Sequence, residues 1–307
     1  MAVGAAGAAP PAGHECDGRS RARAQMEADE ALAGLLLSAM MRRGEHDIAA
    51  PEVQAAWREN EVWQEGVARL EKRAAAGSGP HAALLGALFR AGAGVEEDLA
   101  EAVRWFKVAA DKGVAAAMTN LGAMAERGAG VRKDAAAARA WYEAAAKAGC
   151  GVGAANLGAM LHRGKGPAGV ERGTELTSAR RLYENAAALG DGGAMNNLGV
   201  MCSRGEGGAR DAVAARRWLR KAAEVPSGVF VSSARYAAAH FEEAGAERAL
   251  DDVPQRAAPR EALFNLGLLA ERGAGGQRAV PREAARWFAL AAEKGLRDAA
   301  NVYGAVL

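Results

Sequence analysis

Four asparagine–arginine pairs with one shared spacing are the residues of this 307-residue chain best suited to recognition chemistry. Asn120 precedes Arg127 by seven positions, and the same interval separates Asn156 from Arg163, Asn197 from Arg204 and Asn265 from Arg272. Seven residues make two helical turns, so each pair falls on one face of a helix. Met124, Met160, Met201 and Leu269 stand four residues after each Asn. An amide can pair with an extended backbone, a thioether adapts to varied side chains, and a guanidinium takes a carboxylate in bidentate fashion. Stacked side by side, such rows would form a peptide-binding groove. The same residues also admit a structural reading: Asn pairing between neighbouring units, Met in the core, and Arg capping the C-terminus of its own helix.

Covalent and metal chemistry is poorly supported. The five histidines (His14, His46, His81, His162, His240) have no partner at helical i, i+4 spacing and no nearby cysteine cluster, so no metal or other cofactor is expected. Cys16, Cys150 and Cys202 are odd in number and far apart, which excludes a disulfide framework or a C-x-x-C pair. Gly164 to Gly169 matches the G-x-G-x-x-G pattern of phosphate loops but does not follow a strand, so it reads as an elongated turn. No motif flags a Ser-His-Asp or paired-carboxylate arrangement.

The elements that would position the asparagines and arginines are repeated. Leu-Gly recurs at 85–86, 121–122, 157–158, 198–199 and 266–267. Trp105-Phe106, Trp141-Tyr142, Leu182-Tyr183, Trp218-Leu219 and Trp287-Phe288 begin 19, 19, 24, 19 and 20 residues after the glycine. About five extra residues between Lys165 and Glu175 explain the one long interval. Each unit reads as two helices around a glycine-rich turn. Asp98, Asp134, Glu175 and Asp211 are expected to cap the second helix, and Pro281 suits its first position in the last unit. The mid-helix glycines Gly86, Gly122, Gly158, Gly199 and Gly267 each cost about 1 kcal/mol against alanine. Their recurrence predicts close helix contact, with Trp105, Trp141, Tyr183, Trp218 and Trp287 filling the adjoining space.

This pattern, Ala-x-x-x-Leu-Gly through Gly-x-Gly-Val-x-x-Asp to Ala-x-x-Trp-aromatic-x-x-Ala-Ala-x-x-Gly, resembles the Sel1-like repeat, a relative of the tetratricopeptide repeat. The resemblance covers Pro80 to Val225 and resumes at Pro259. It implies an all-α solenoid of stacked antiparallel helix pairs coiling as a right-handed superhelix, with first helices lining the concave face. It also implies a non-catalytic scaffold or adaptor, in keeping with relatives in protein-quality-control and signalling complexes. The family's usual Tyr three residues after the glycine is Phe89, Ala125, Leu161, Cys202 or Ala270 here, so an aromatic-lined groove is not expected. The rival readings are self-association and a β-lactam hydrolase. The hydrolase forms resemble cysteine-rich secreted chains, from which three scattered cysteines depart.

Composition agrees. Lys and Arg number 39 against 37 Asp and Glu, for a net charge of +2, so no nucleic-acid partner is expected. Runs such as Arg180-Arg181 and Arg216-Arg217 are short. A protein or peptide partner, acidic in character, fits the arginines. No stretch approaches the length of a membrane-spanning helix, and the N-terminus lacks a signal-peptide pattern, so a cytoplasmic location is expected. The chain divides into a disordered tail (1–25), a helical cap or diverged repeat (26–79), four repeats (80–225), a degenerate repeat or insertion (226–258), one repeat (259–297) and a capping helix (298–307).

Overall fold

The computed structural model describes residues 58–59, 61–225, 260–273 and 279–306. The expected tail, residues 26–57 of the expected cap and the segment 226–258 lie outside them. Among the described residues the chain is all helical. The helices are α1 (Glu61–Ala75), α2 (Gly79–Ala91), α3 (Leu99–Asp111), α4 (Ala115–Arg127), α5 (Ala135–Lys147) and α6 (Gly151–His162). They continue as α7 (Arg172–Ala188), α8 (Gly192–Arg204), α9 (Ala212–Glu224), α10 (Arg260–Arg272), α11 (Pro281–Glu293) and α12 (Arg297–Val306).

Each glycine–aromatic unit is a helix hairpin: α2 with α3, α4 with α5, α6 with α7, α8 with α9 and α10 with α11. Successive hairpins stack, so the fold is an α-solenoid. α9 packs directly on α10, as second and first helices of neighbouring units meet elsewhere in the stack.

The turn inside each hairpin is closed by backbone chemistry. In α4, Gly128 adopts φ 77° and donates its N–H to the Met124 carbonyl, a left-handed cap that glycine reaches without Cβ strain. Asp134 then works twice. Its carboxylate accepts from Ala136 and Ala137 N–H at 2.8 and 3.0 Å, and its own N–H donates to the Ala125 carbonyl at 2.9 Å. Asp98 and Asp211 repeat both roles, donating to Phe89 and Cys202. Val280 keeps only the backbone bond, to Ala270.

The third unit departs from the expected cap. α7 starts at Arg172 with Glu171 at the cap position and no side-chain bond there. Glu175 lies inside the first turn and is buried. The inserted residues are therefore shared between the loop and an added turn of helix. This displaces the N–H that closes the other turns; the Leu161 carbonyl accepts instead from Gly164 N–H at 3.0 Å and from Arg172 Nη1 at 2.6 Å, and Arg172 Nη2 donates to the His162 carbonyl. Leu161 is the positional equivalent of Phe89, Ala125, Cys202 and Ala270.

The small residues set the helix spacing, with one correction of register. A Cβ placed on Gly122 would stand 2.6 Å from the Tyr142 ring. The corresponding partners are Phe106 for Gly86, Tyr183 for Gly158, Leu219 for Gly199 and Phe288 for Gly267. The second residue of each aromatic pair thus fills the space by the glycine. Trp105, Trp141, Trp218 and Trp287 do not. One helical residue is a rotation of about 100°, which turns each Trp toward the neighbouring stack. Trp141 packs against the core built from α1 to α4, and Trp287 against a core running from α6 to α10.

Candidate functional site

The first helices place the Asn–Arg rows as follows. Arg127, Arg204 and Arg272 are the last residues of α4, α8 and α10, and Arg163 follows the end of α6. All four are exposed. Asn120, Asn156, Asn197 and Asn265 are half-buried. The methionines are not on this surface: Met160 and Met201 are fully buried, Met124 and Leu269 nearly so. Four residues past Asn the side chain turns toward the second helix. The residue that lies between Asn and Arg on the open stripe is three past Asn, namely Ala123, Ala159, Val200 and Leu268, each half-buried. The stripe therefore reads Asn, small or branched aliphatic, Arg.

The asparagines do not share one hydrogen-bonding role. Asn120 donates Nδ2 to the Ala116 carbonyl of its own helix at 3.0 Å. Asn197 bonds the Tyr183 hydroxyl of the preceding unit, and burial pushes that phenol up to about 12. Asn265 donates to Asn196 Oδ1 at 2.9 Å, joining α10 to α8. Asn156 has no hydrogen-bond partner among the described residues.

The arginines differ in pairing. Arg163 donates to Glu126 Oε1 at 2.9 Å across the unit boundary, and Lys165 reaches the same oxygen at 3.4 Å. Glu126 also accepts from the Tyr142 hydroxyl at 3.3 Å. Arg204 lies 3.6 Å from Glu206, which His162 contacts at 2.7 Å. Arg127 and Arg272 have no carboxylate partner among the described residues. None of the four bonds a helix-end carbonyl. That task falls to Arg172 and to Arg210, whose Nε donates to the Ser203 carbonyl at 2.9 Å.

Other candidate groups are structural in their surroundings. Cys202 is buried, with Arg180 Nη2 at 3.4 Å from its sulfur, and burial raises its thiol above the ordinary range. Cys150 is buried beside Thr119 Oγ1 at 3.5 Å. Ser78 Oγ contacts His81 Nδ1 at 2.6 Å, but Ser78 is the cap residue of α2 and His81 lies in its first turn, the spacing of a local helix-capping contact. Among the described residues no three His, Cys, Asp or Glu side chains gather as a metal site, and no helix is long and apolar enough to cross a membrane. One feature escaped the sequence reading: an open groove of about 520 Å³ near the N-terminal end, whose lining includes Ala68, Glu71, Phe89, Arg104 and Trp105. Its signal was Phe89, where the other units carry a smaller or aliphatic residue.

With this geometry in place, known proteins can be compared. The Sel1 repeat signature matches residues 82–114, 115–150, 152–191, 193–225 and 260–296, more than half of the chain. The chain belongs to the Sel1 repeat family. Its fold is similar to that of a Sel1 repeat protein from Oxalobacter formigenes, over 81% of this chain and 86% of that one, at 23% identity and TM-score 0.58. It is also similar to a protective antigen of uropathogenic Escherichia coli displaying an SLR fold, at 25% identity and TM-score 0.52. That likeness covers 83% of this chain and 55% of the antigen, so the chain spans about half of the antigen's length. No match arises among curated protein sequences. Protein binding is the typical role of Sel1 repeats, and typical members are non-catalytic.

Proposed function

We propose that this Sel1 repeat chain is a non-catalytic scaffold that binds a partner peptide or domain along its first helices. The observation that carries the reading is the stripe Asn, small or branched aliphatic, Arg, repeated at the same place on α4, α6, α8 and α10 with every arginine exposed. Small residues at Ala123 and Ala159 allow a main chain to approach the helix, and the arginines beyond them favour carboxylates on the ligand. Half-buried asparagines supply amide groups at the other end of the stripe.

The test compares wild type with a variant carrying R127E, R163E, R204E and R272E, using a photo-crosslinker at position 123 to capture the partner in cells. The reading expects one dominant adduct in wild type and its loss in the variant. An adduct of equal yield from a variant with unchanged helical circular dichroism would overturn it.

A further inference from the structure

Among the described helices α9 carries the largest net charge, with Arg216, Arg217, Arg220 and Lys221 against a single carboxylate, Glu224. Arg217, Arg220 and Lys221 are exposed. Arg220 lies 3.7 Å from Glu283 of α11, the ion pair this cluster forms among the described residues. Arg217 and Lys221 flank the half-buried Trp218, at 5.5 and 5.1 Å from its ring centroid. One turn before Arg217, Val213 is 76% exposed, more than Val170, Leu189, Val280 or Leu290, the other exposed large apolar residues.

The repeat itself supplies the control. Counting from the capping aspartate, Val213, Arg216, Arg217, Arg220 and Lys221 correspond to Ala136, Arg139, Ala140, Glu143 and Ala144 in α5. The α5 hairpin closes and stacks with one cation and one glutamate at these places, so the fold does not require the α9 cluster. Nor does packing explain Val213, which touches solvent where α3 and α5 hold alanine.

We infer that α9 is a second protein-docking surface, on the second helix of its hairpin, for an acidic helix of a partner. The run from Val213 to Lys221 is about 12 Å long at 1.5 Å per residue. A helix with glutamates at i, i+3 and i+4 and one leucine a turn away can lay carboxylates on Arg217, Arg220 and Lys221 and cover Val213. A continuous polyanion fits poorly. Glu224, three residues past Lys221, is exposed on the same helix and interrupts the run of cations that a continuous polyanion would need. This surface is independent of the first-helix stripe.

The experiment uses the full chain and three probes: a fluorescein-labelled, alanine-based helical peptide with that glutamate and leucine pattern, a 20-base-pair DNA duplex, and phosphatidylcholine–phosphatidylserine vesicles. Fluorescence anisotropy or co-sedimentation is read at low and physiological salt. Peptide binding is expected to weaken at least tenfold in R217E/R220E/K221E. It is expected to hold in R217K/R220K and in R127E/R272E, which alters only the first-helix stripe. K221E alone, at an exposed position, keeps the test valid if the triple variant misfolds, with partial loss expected. Absence of peptide binding, wild-type affinity in the charge-reversed variants, or tighter binding of DNA or vesicles through the same residues would each overturn the inference.

Discussion

Replacing Gly122 by alanine opposes two effects whose sizes can be set apart. Alanine gains about 1 kcal/mol of helix propensity over glycine at an interior position. Against this, its Cβ would stand 2.6 Å from two atoms of the Tyr142 ring, nearer than carbon atoms pack. Tyr142 is 2% exposed and its hydroxyl is tied to Glu126, so the ring has little room to retreat. Overpacking of this kind costs about 1–3 kcal/mol. Gly158 offers the comparison, because there the added Cβ would meet Tyr183 at 3.1 Å, a contact that a few tenths of an ångström relieve. The propensity gain is common to both substitutions and cancels in their difference.

Gly122→Ala is therefore expected to be less stable than Gly158→Ala by about 1–2 kcal/mol, with Gly158→Ala close to wild type. Urea unfolding followed by circular dichroism and tryptophan fluorescence measures this. With a slope near 2 kcal/mol/M, the midpoints should differ by about 0.5–1 M. Both probes must agree, since stacked repeats can unfold in parts. Equal midpoints, or a higher one for Gly122→Ala, would refute the claim that ring contact is why the glycine recurs.

Two further outcomes are expected. Asp191 caps α8 through Ala194 N–H at 2.7 Å, and burial raises its carboxyl above the ordinary 3.8; the folded state thus resists its ionisation, and stability falls as pH rises through the raised value. Asp191→Asn keeps an accepting oxygen without the charge, so its urea midpoint should exceed wild type at pH 7 and converge with it near pH 4. Arg172→Met removes one of two donors to the Leu161 carbonyl together with the donor to His162, at an expected cost of about 1–2 kcal/mol, whereas Arg210→Met, on the single helix-end carbonyl of Ser203, should cost less than half as much by the same measurement.

Fold class was legible because the spacing of Leu-Gly and the aromatic pair carries both helix length and turn position. What misled was a single residue of rotation. Tryptophan is the conspicuous member of each pair, yet its neighbour fills the space by the glycine. The third unit held the clue, since Leu182-Tyr183 keeps its aromatic only in the second place. The same slip put Met124, Met160 and Met201 on the candidate stripe. Positions three and four past Asn differ by about 100° around the helix, and composition favoured the adaptable methionine over alanine. The bonds of Arg172 across the third turn were not legible, because nothing local marks which carbonyls an inserted loop brings within reach of a side chain.

The structural reading of the four stripe arginines was that they cap their own helices. Arg172 and Arg210, neither of them on the stripe, bond the helix-end carbonyls of α6 and α8 instead. Lateral pairing is the remaining structural role, and it accounts for Arg163 through Glu126. Arg204 leans on the Glu206 of its own turn at 3.6 Å with its side chain 63% exposed, where an ion pair contributes less than about 1 kcal/mol. Arg127 and Arg272 have neither role among the described residues. If stacking had selected arginine at this position, the pairing would recur with the residue, as the aspartate caps recur with theirs. The residue recurs in four units and the pairing does not. A long cation placed repeatedly at one exposed point, with a different partner or none among the described residues each time, is what the proposed partner-binding role expects and what a stacking role does not.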